Sequence, residues 1–284
     1  PHVSRLNLMK SLFKTSGFRA FLSMIFLNAF VDLGHKIIIQ NTVFKIYDGS
    51  TQVILTAIVN GLILLPFILL FTPSGWMADR FKKPIIMRWS AIFAVIITLL
   101  ITTSYYLGWF KIAFTMTFLL AVQSAFYSPA KYGYIREIAG KSNLTTANGL
   151  VQSTTIIAIL LGMFTFSILF ETSLSNHSFT TESDILRIIA PIGFILVIAS
   201  LFELKFAYSL PETQQISVNE HFNWQKYRHG RALSSNIKLL KSDPIIWLSI
   251  IGLSVFWGVS QVVLAAYPAF AKEVLFINNT IVIQ

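Results

Sequence analysis

Residues 52–72 read Gln-Val-Ile-Leu-Thr-Ala-Ile-Val-Asn-Gly-Leu-Ile-Leu-Leu-Pro-Phe-Ile-Leu-Leu-Phe-Thr, without one charged side chain. A bilayer core takes roughly 20 apolar residues of helix to cross. Residues 75–84 follow as Gly-Trp-Met-Ala-Asp-Arg-Phe-Lys-Lys-Pro, and residues 85–107 form a second apolar run broken only by Arg88. An apolar run, a short basic turn and another apolar run describe a hairpin through a membrane. Its arms are predicted to be helices, because backbone groups in lipid must be satisfied within their own segment. The period-2 alternation of a membrane barrel is absent.

Working outward, the chain holds seven such runs, at about 20–40, 52–72, 85–107, 111–130, 145–170, 185–208 and 244–270. Hydrophobic residues make up 55% of the 284, charged residues only 12%, and mean hydropathy is +0.68. A soluble domain carries about 25% charged residues, so the composition excludes one. The predicted class is all-α integral membrane. The net charge of +10 sits in short loops between the runs, so it reads as membrane topology and not as a nucleic-acid partner. There is no Cys, which excludes disulfides, thiolate chemistry and Cys-based metal sites. No cleavable signal peptide is read: the first run starts near Arg19, lacks a small-residue cleavage site and contains Asp32. No nucleotide-binding loop, metal motif or nucleophile elbow is found. Expected cofactors are none, metal ligands none, and the chain is expected not to be an enzyme.

The basic residues alternate by side. Arg5, Lys10, Lys14 and Arg19 precede the first span, and Arg80, Lys82, Lys83 and Arg88 follow the second. Lys131, Arg136 and Lys141 follow the fourth, and Lys226, Arg228, Arg231, Lys238 and Lys241 follow the sixth. The other side has only Lys45, Lys111, Arg187 and Lys272. By the positive-inside rule the richer side, with the N-terminus, is cytoplasmic. Residues 209–243 are the longest polar stretch. The expected division is a six-helix bundle over 1–208, a basic cytoplasmic linker over 209–243 that is a candidate interfacial helix, and over 244–284 the first helix of a second half that stops short. Six helices, a linker and another helix match a transporter built from two six-helix halves. A seven-helix receptor is disfavoured, because seven spans from a cytoplasmic N-terminus give the opposite orientation. No Lys sits centrally in the seventh span for a retinal.

Charges at membrane depth mark functional positions. Asn28, Asp32 and Lys36 repeat every four residues in the first span and so share a helix face. They read as a polar cleft for substrate or coupling ion, with Asp32 at its centre. The plainer reading is a self-neutralising Asp32–Lys36 pair. His35 reads as a polar neighbour and not a metal ligand. Gln123 and Gln152 are candidate cavity-lining residues that would equally serve as interhelical glue. Lys131, after Pro129, is placed near the cytoplasmic interface, where it would snorkel to a lipid phosphate or hold the bundle end. Pro129 itself is expected to end or kink the fourth helix. Gly61, Gly75, Gly162, Gly193 and Gly252 are expected at close helix contacts.

The Gly75, Ala78-Asp79-Arg80 and Lys83 pattern resembles the signature loop between helices two and three of the major facilitator superfamily. Lys82 departs from the glycine usual there. The resemblance implies a cytoplasmic gate, in which Asp79 at a helix end can accept hydrogen bonds and Arg80 and Lys83 can pair with acidic groups. By its own chemistry Glu137 is placed to meet the Arg80 or Lys83 region, or simply to hold the cytoplasmic ends of the bundle together. The run Ser128-Pro-Ala-Lys131-Tyr-Gly133 with Glu137, then Ala147-Asn-Gly-Leu150, looks like the bacterial lysophospholipid transporter branch, over roughly residues 15–210. Gln152 stands where that branch suggests an acidic residue, and the first helix lacks its second Asn or Asp pair. This resemblance implies a major facilitator fold and the transfer of lysophospholipids such as lysophosphatidylethanolamine from the outer to the inner leaflet of the bacterial cytoplasmic membrane. Re-acylation follows there. The implied partners are lysophospholipid, the bilayer, and an acyltransferase/acyl-carrier-protein synthetase that is fused in some bacteria. No acyltransferase His-x4-Asp pattern is present, so any such enzyme is expected beyond Gln284. The rival readings are a superfamily exporter of drugs or small solutes and a non-transporting membrane scaffold.

Overall fold

The computed structural model describes residues 5–212 and 224–283. These residues are helical and form no strand. A short α1 (Arg5–Lys14) lies ahead of the first span and is not anticipated by the hydropathy reading. The first span is α2 (Phe18–Ile46). The second is split into α3 (Gly49–Leu69) and α4 (Phe71–Arg80). Next come α5 (Lys83–Leu107), α6 (Phe110–Ala139) and α7 (Leu144–Leu174). The sixth span is α8 (Glu182–Ile189), a 3₁₀ turn (Ala190–Ile192) and α9 (Gly193–Tyr208). In the linker lie α10 (Trp224–Arg228) and α11 (Arg231–Lys241), then the seventh span α12 (Pro244–Glu273) and a final turn α13 (Thr280–Ile283). Among the described residues, seven helices, counting α8 to α9 as one, are long and apolar enough to cross a membrane.

Two breaks sit where proline chemistry puts them. Proline lacks an N–H, and its ring crowds the carbonyl four residues back. Pro73 sets this conflict at Leu69, where α3 ends. Pro191 sets it at Arg187, and the helix passes through a 3₁₀ turn there. Pro129, expected to end or kink the fourth helix, does not end it: α6 runs through it to Ala139. Neighbouring helices re-satisfy a backbone group freed in this way. Ends are closed by local chemistry. Thr181 and Asp184 form a reciprocal capping box on α8. Asp243 accepts hydrogen bonds from the amides of Ile245 (2.9 Å) and Ile246 (3.3 Å) ahead of Pro244. Gly108 ends α5 in the left-handed conformation, φ 69°, which only glycine adopts without cost.

α2 is the central column, packed against α7 and α9, while α5 packs on α6 and α9. Two large clusters make up most of the core, with a small third at Phe44, Ala271 and Ile283. Of the large ones, the first is built around Tyr105, Phe166, Phe170 and Ile185, the second around Phe18, Phe21, Tyr127 and Tyr134. The second surrounds the end that carries the basic loops. Close approach occurs at Gly193, where a Cβ would stand 2.7 Å from Thr102, and at Gly162, with Leu33 and Phe30 at 3.5 and 3.6 Å. Gly61, Gly75 and Gly252 correct the expectation: a Cβ on any of them meets nothing within 4 Å. The tightest interhelical glycine is instead Gly34, 2.4 Å from the Phe166 ring.

α12 packs chiefly on α3 and leaves much of its apolar surface exposed. At the end opposite the basic loops, Lys272 clasps the α2–α3 turn. Its Nζ donates to Phe44 O (2.7 Å) and Tyr47 O (3.1 Å) and pairs with Asp48 (2.6 Å). Lys45 and Glu171 form a second pair at the same end, at 2.9 Å. The Tyr47 hydroxyl donates to Glu182, which holds its pKa up at about 12.

Candidate functional site

The four-residue spacing of α2 places Asn28, Asp32 and Lys36 on one wall of a cavity of about 280 Å³. α6 supplies Ser124, Ser128 and Lys131 to it, and α7 supplies Thr155. Apolar side chains, among them Leu33, Phe67 and Ile159, complete the lining. Among the described residues, Asp32 and Lys36 do not form the local ion pair that their spacing permits. The Ser124 hydroxyl donates to Asp32 instead. Lys131 stacks its ammonium over the rings of Tyr132 (4.7 Å) and Tyr127 (5.7 Å). The cavity therefore sets one carboxylate and two ammonium groups among neutral hydroxyls in an apolar bundle. A small zwitterion or an amphiphile headgroup carries the complementary charges.

One buried carboxyl beside the cavity, bonded to its wall at Asn28, was missed. Glu203 on α9 is fully buried and accepts a hydrogen bond from Asn28 Nδ2 at 3.2 Å. Glu203 Oε2, Asp32 Oδ1 and the buried Tyr127 hydroxyl have no hydrogen-bond partner among the described residues. Its signal was in the sequence: a carboxylate within an apolar run, the same rule that marked Asp32. His35 keeps to a structural role. Its ring nitrogens meet Tyr105 Oη (2.6 Å) and Ala113 O (2.9 Å).

Two expected members lie elsewhere. Gln123 points off the cavity, and its amide donates to Ser90 Oγ at 2.7 Å. It reaches the site only through Ser124, whose Oγ lies 3.1 Å from Gln123 Oε1. Gln152 is exposed and donates to Tyr132 Oη at 3.4 Å. α7 turns position 152 away while bringing Thr155, nearly one turn on, to the cavity.

The basic loop is organised by ion pairs. Lys83 meets Glu137 at 2.7 Å, tying the start of α5 to the end of α6. Arg80 lies over the Trp76 ring at 5.3 Å. Asp79 lines a surface hollow with Gly75, Arg80 and Asn236, and among the described residues its carboxylate joins no ion pair. Lys82 sits at φ −57°, so the turn does not require the glycine usual in the signature loop. Its ammonium instead pairs with Glu212 beyond α9 at 2.7 Å. Arg88 donates to the carbonyls of Ala207 (3.3 Å) and Leu210 (3.1 Å). Lys82, and behind it Arg88, hold the Glu212 carboxyl below its usual range. Of the linker residues noted in the sequence, Trp224 and Tyr227 lie on α10, His229 follows it, and His221 is outside the described residues.

The family model described as Major Facilitator Superfamily matches residues 16–281. A protein named lysophospholipid transporter LplT, from Photorhabdus laumondii, is 30% identical over 247 residues, covering 86% of this chain and 55% of its own length. One of the same name from Yersinia pestis is 32% identical over 140 residues, covering 49% and 30%. The chain thus spans about half the length, or less, of the curated relatives it matches. Among solved structures, a bacterial homologue of the human lysosomal transporter Spinster, titled as inward-facing and unoccupied, aligns with TM-score 0.55 at 14% identity. It covers 92% of this chain and 56% of that one. Six spans with a charged cavity among the first, second, fourth and fifth, a basic loop between the second and third, a linker and a further span are thus the arrangement of a known fold, and the chain belongs to the Major Facilitator Superfamily.

Proposed function

We propose that this chain is part of a secondary transporter that moves lysophospholipids, of the lysophosphatidylethanolamine kind, from the outer to the inner leaflet of the bacterial cytoplasmic membrane. The observation that carries the reading is the cavity holding Asp32 with Lys36 and Lys131. A phosphoethanolamine headgroup bears one anion and one cation, and this lining offers both counter-charges. The names and identities of the LplT relatives support the same substrate class. In this reading the basic end is cytoplasmic, residues 1–208 are one rocking half, 209–243 the linker, and 244–284 the start of the other half. Transport follows alternating access about a site near the midplane. The headgroup crosses through the cavity while the tail stays in lipid. Lys83 and Glu137 latch the cytoplasmic ends, with Gly75, Asp79 and Arg80 beside them. An acyltransferase/acyl-carrier-protein synthetase consumes the delivered lysolipid.

The test is uptake of labelled lysophosphatidylethanolamine into membrane vesicles carrying the protein, beside Asp32→Asn. The expected result is uptake that falls at least tenfold in the variant at equal expression. Uptake that survives the substitution removes the Asp32 charge from the mechanism. No uptake by the unmodified protein moves the assignment to an exporter of small solutes.

A further inference from the structure

The polar stripe on α2 does not stop at Lys36. Asn28, Asp32, Lys36 and Gln40 continue it at steps of four. On α3, Gln52, Thr56 and Asn60 form a second stripe at the same step, so each set lies along one helix face. The two stripes meet where Gln40 Nε2 donates to Asn60 Oδ1 at 3.2 Å. Together they line a second cavity of about 260 Å³, toward the end away from the basic loops. It shares Leu33, Lys36 and Ile159 with the Asp32 cavity, so the two adjoin. α12 closes it with Trp257, Leu264 and Tyr267.

Three observations point to a ligand. Gln52 is 1% exposed, yet neither its amide nitrogen nor its oxygen has a partner among the described residues. Asn60 Nδ2 is likewise buried without one. A buried amide in an apolar bundle is costly unless something takes up its hydrogen bonds. Among the described residues Lys36 joins no ion pair and no carboxylate lines this cavity. The site therefore offers an ammonium and amide N–H donors, and Gln52 Oε1 as an acceptor.

We propose that Lys36, Gln52 and Asn60, with Gln40 behind them, form a glycerol-phosphate station that a lysophospholipid occupies before its headgroup reaches Asp32. The phosphate takes the donors of Lys36, Gln52 and Asn60. Gln52 Oε1 accepts from the glycerol hydroxyl that loss of one acyl chain has freed. A diacyl lipid has no such hydroxyl and leaves that acceptor unpaired, so this station is where lyso forms are told from intact ones. The headgroup's ammonium finds no carboxylate here and is read only at the next cavity. The lipid source of the phosphate rests on the transport reading, whereas the station itself requires only glycerol phosphate chemistry.

The experiment is equilibrium binding to the purified protein in phosphatidylcholine nanodiscs. The probes are radiolabelled lysophosphatidylethanolamine, its analogue with the free hydroxyl capped as a methyl ether, and glycerol 3-phosphate. The variants are Gln52→Leu and the isosteric Gln52→Glu, which keeps the shape but repels phosphate should the leucine variant fail to fold. Both are expected to weaken lysophosphatidylethanolamine binding at least tenfold, and the capped analogue to bind the unmodified protein at least tenfold more weakly than the free lipid. Unchanged lysolipid affinity in both variants overturns the station and leaves the transport reading standing. Glycerol 3-phosphate bound and then lost in Gln52→Glu, with no lysolipid binding, keeps the station and overturns the lipid reading. Binding of neither probe to the unmodified protein overturns the station.

Discussion

Asn28 and Glu203 meet across the middle of the bundle, the amide of one donating to the carboxyl of the other at 3.2 Å. They lie on α2 and α9, which are packed along their length. Two polar side chains so joined hold the first and sixth spans in one register. Replacing Glu203 with Gln keeps an acceptor oxygen for Asn28, and Leu removes it. Glu203→Leu is expected to lower stability by about 1–3 kcal/mol, the usual cost of a buried donor left unpaired, and Glu203→Gln by less. Thermal unfolding in detergent, followed by fluorescence of the native Trp residues, checks the order.

Gly34 presses against the Phe166 ring, where even a methyl group has no room. Gly34→Ala forces the first and fifth spans apart, and overpacking of this kind costs about 1–3 kcal/mol. A compensating Phe166→Leu, which shortens the opposing side chain, is expected to restore part of the loss. A melting series on the two single variants and the double would expose the coupling. Equal, additive losses would remove this contact from the account.

Lys83 and Glu137 are both half-buried at the basic end. Reversing either charge alone sets like charges together, while the double exchange Lys83→Glu with Glu137→Lys restores attraction. The expected coupling is on the order of 1 kcal/mol. The same three variants in the vesicle uptake assay report whether the latch also gates transport. Uptake lost in both singles and regained in the exchange is the expected pattern.

Glu212 is held below the ordinary carboxyl range by Lys82 and then Arg88. A depressed carboxyl contributes its stabilisation above its unfolded pKa of about 4.3. That contribution is lost as pH falls through the lower folded value. The Lys82–Glu212 link is therefore expected to persist at neutral pH and to open only in acid below the ordinary carboxyl range. In Glu212→Gln, limited proteolysis after Tyr208 is expected at neutral pH at the rate the unmodified protein shows only in acid. A rate independent of pH in both proteins would show that the pair does not hold this segment.

Much of the fold was legible because a bilayer imposes one simple demand, length of apolar helix, on every span. The seven runs each coincide with a helix in the structure, but the first extends to Ile46, the second continues through α4 to Arg80, and the fourth runs past Pro129 to Ala139. What averaging over a window hides is the single residue. Pro73 and Pro191 split the second and sixth spans without lowering their hydropathy enough to show. Glu203 passed unnoticed in a run otherwise as apolar as its neighbours. Of the cavity, Asn28, Asp32 and Lys36 were legible from helical spacing, whereas Lys131, read as lying at the cytoplasmic interface, lines the same cavity. Gln123 and Gln152 were not placed correctly, because a polar residue in a span does not declare which neighbour it faces. Lys82 was read as a departure from a glycine pattern. Its meaning emerged only once Glu212 stood opposite it, 130 residues along the chain.

The Lys272 clasp fixes one end of α12 to the turn between the first two spans, and the remainder of that helix rests mainly on α3. A rod of 30 residues is about 45 Å long. Held at one tip it is a lever, and a tilt of about 10° carries its other tip some 8 Å by simple trigonometry on that length. That other tip is joined to the basic linker, so a small repacking beside Trp257 would be magnified into a larger displacement of the linker at the membrane face.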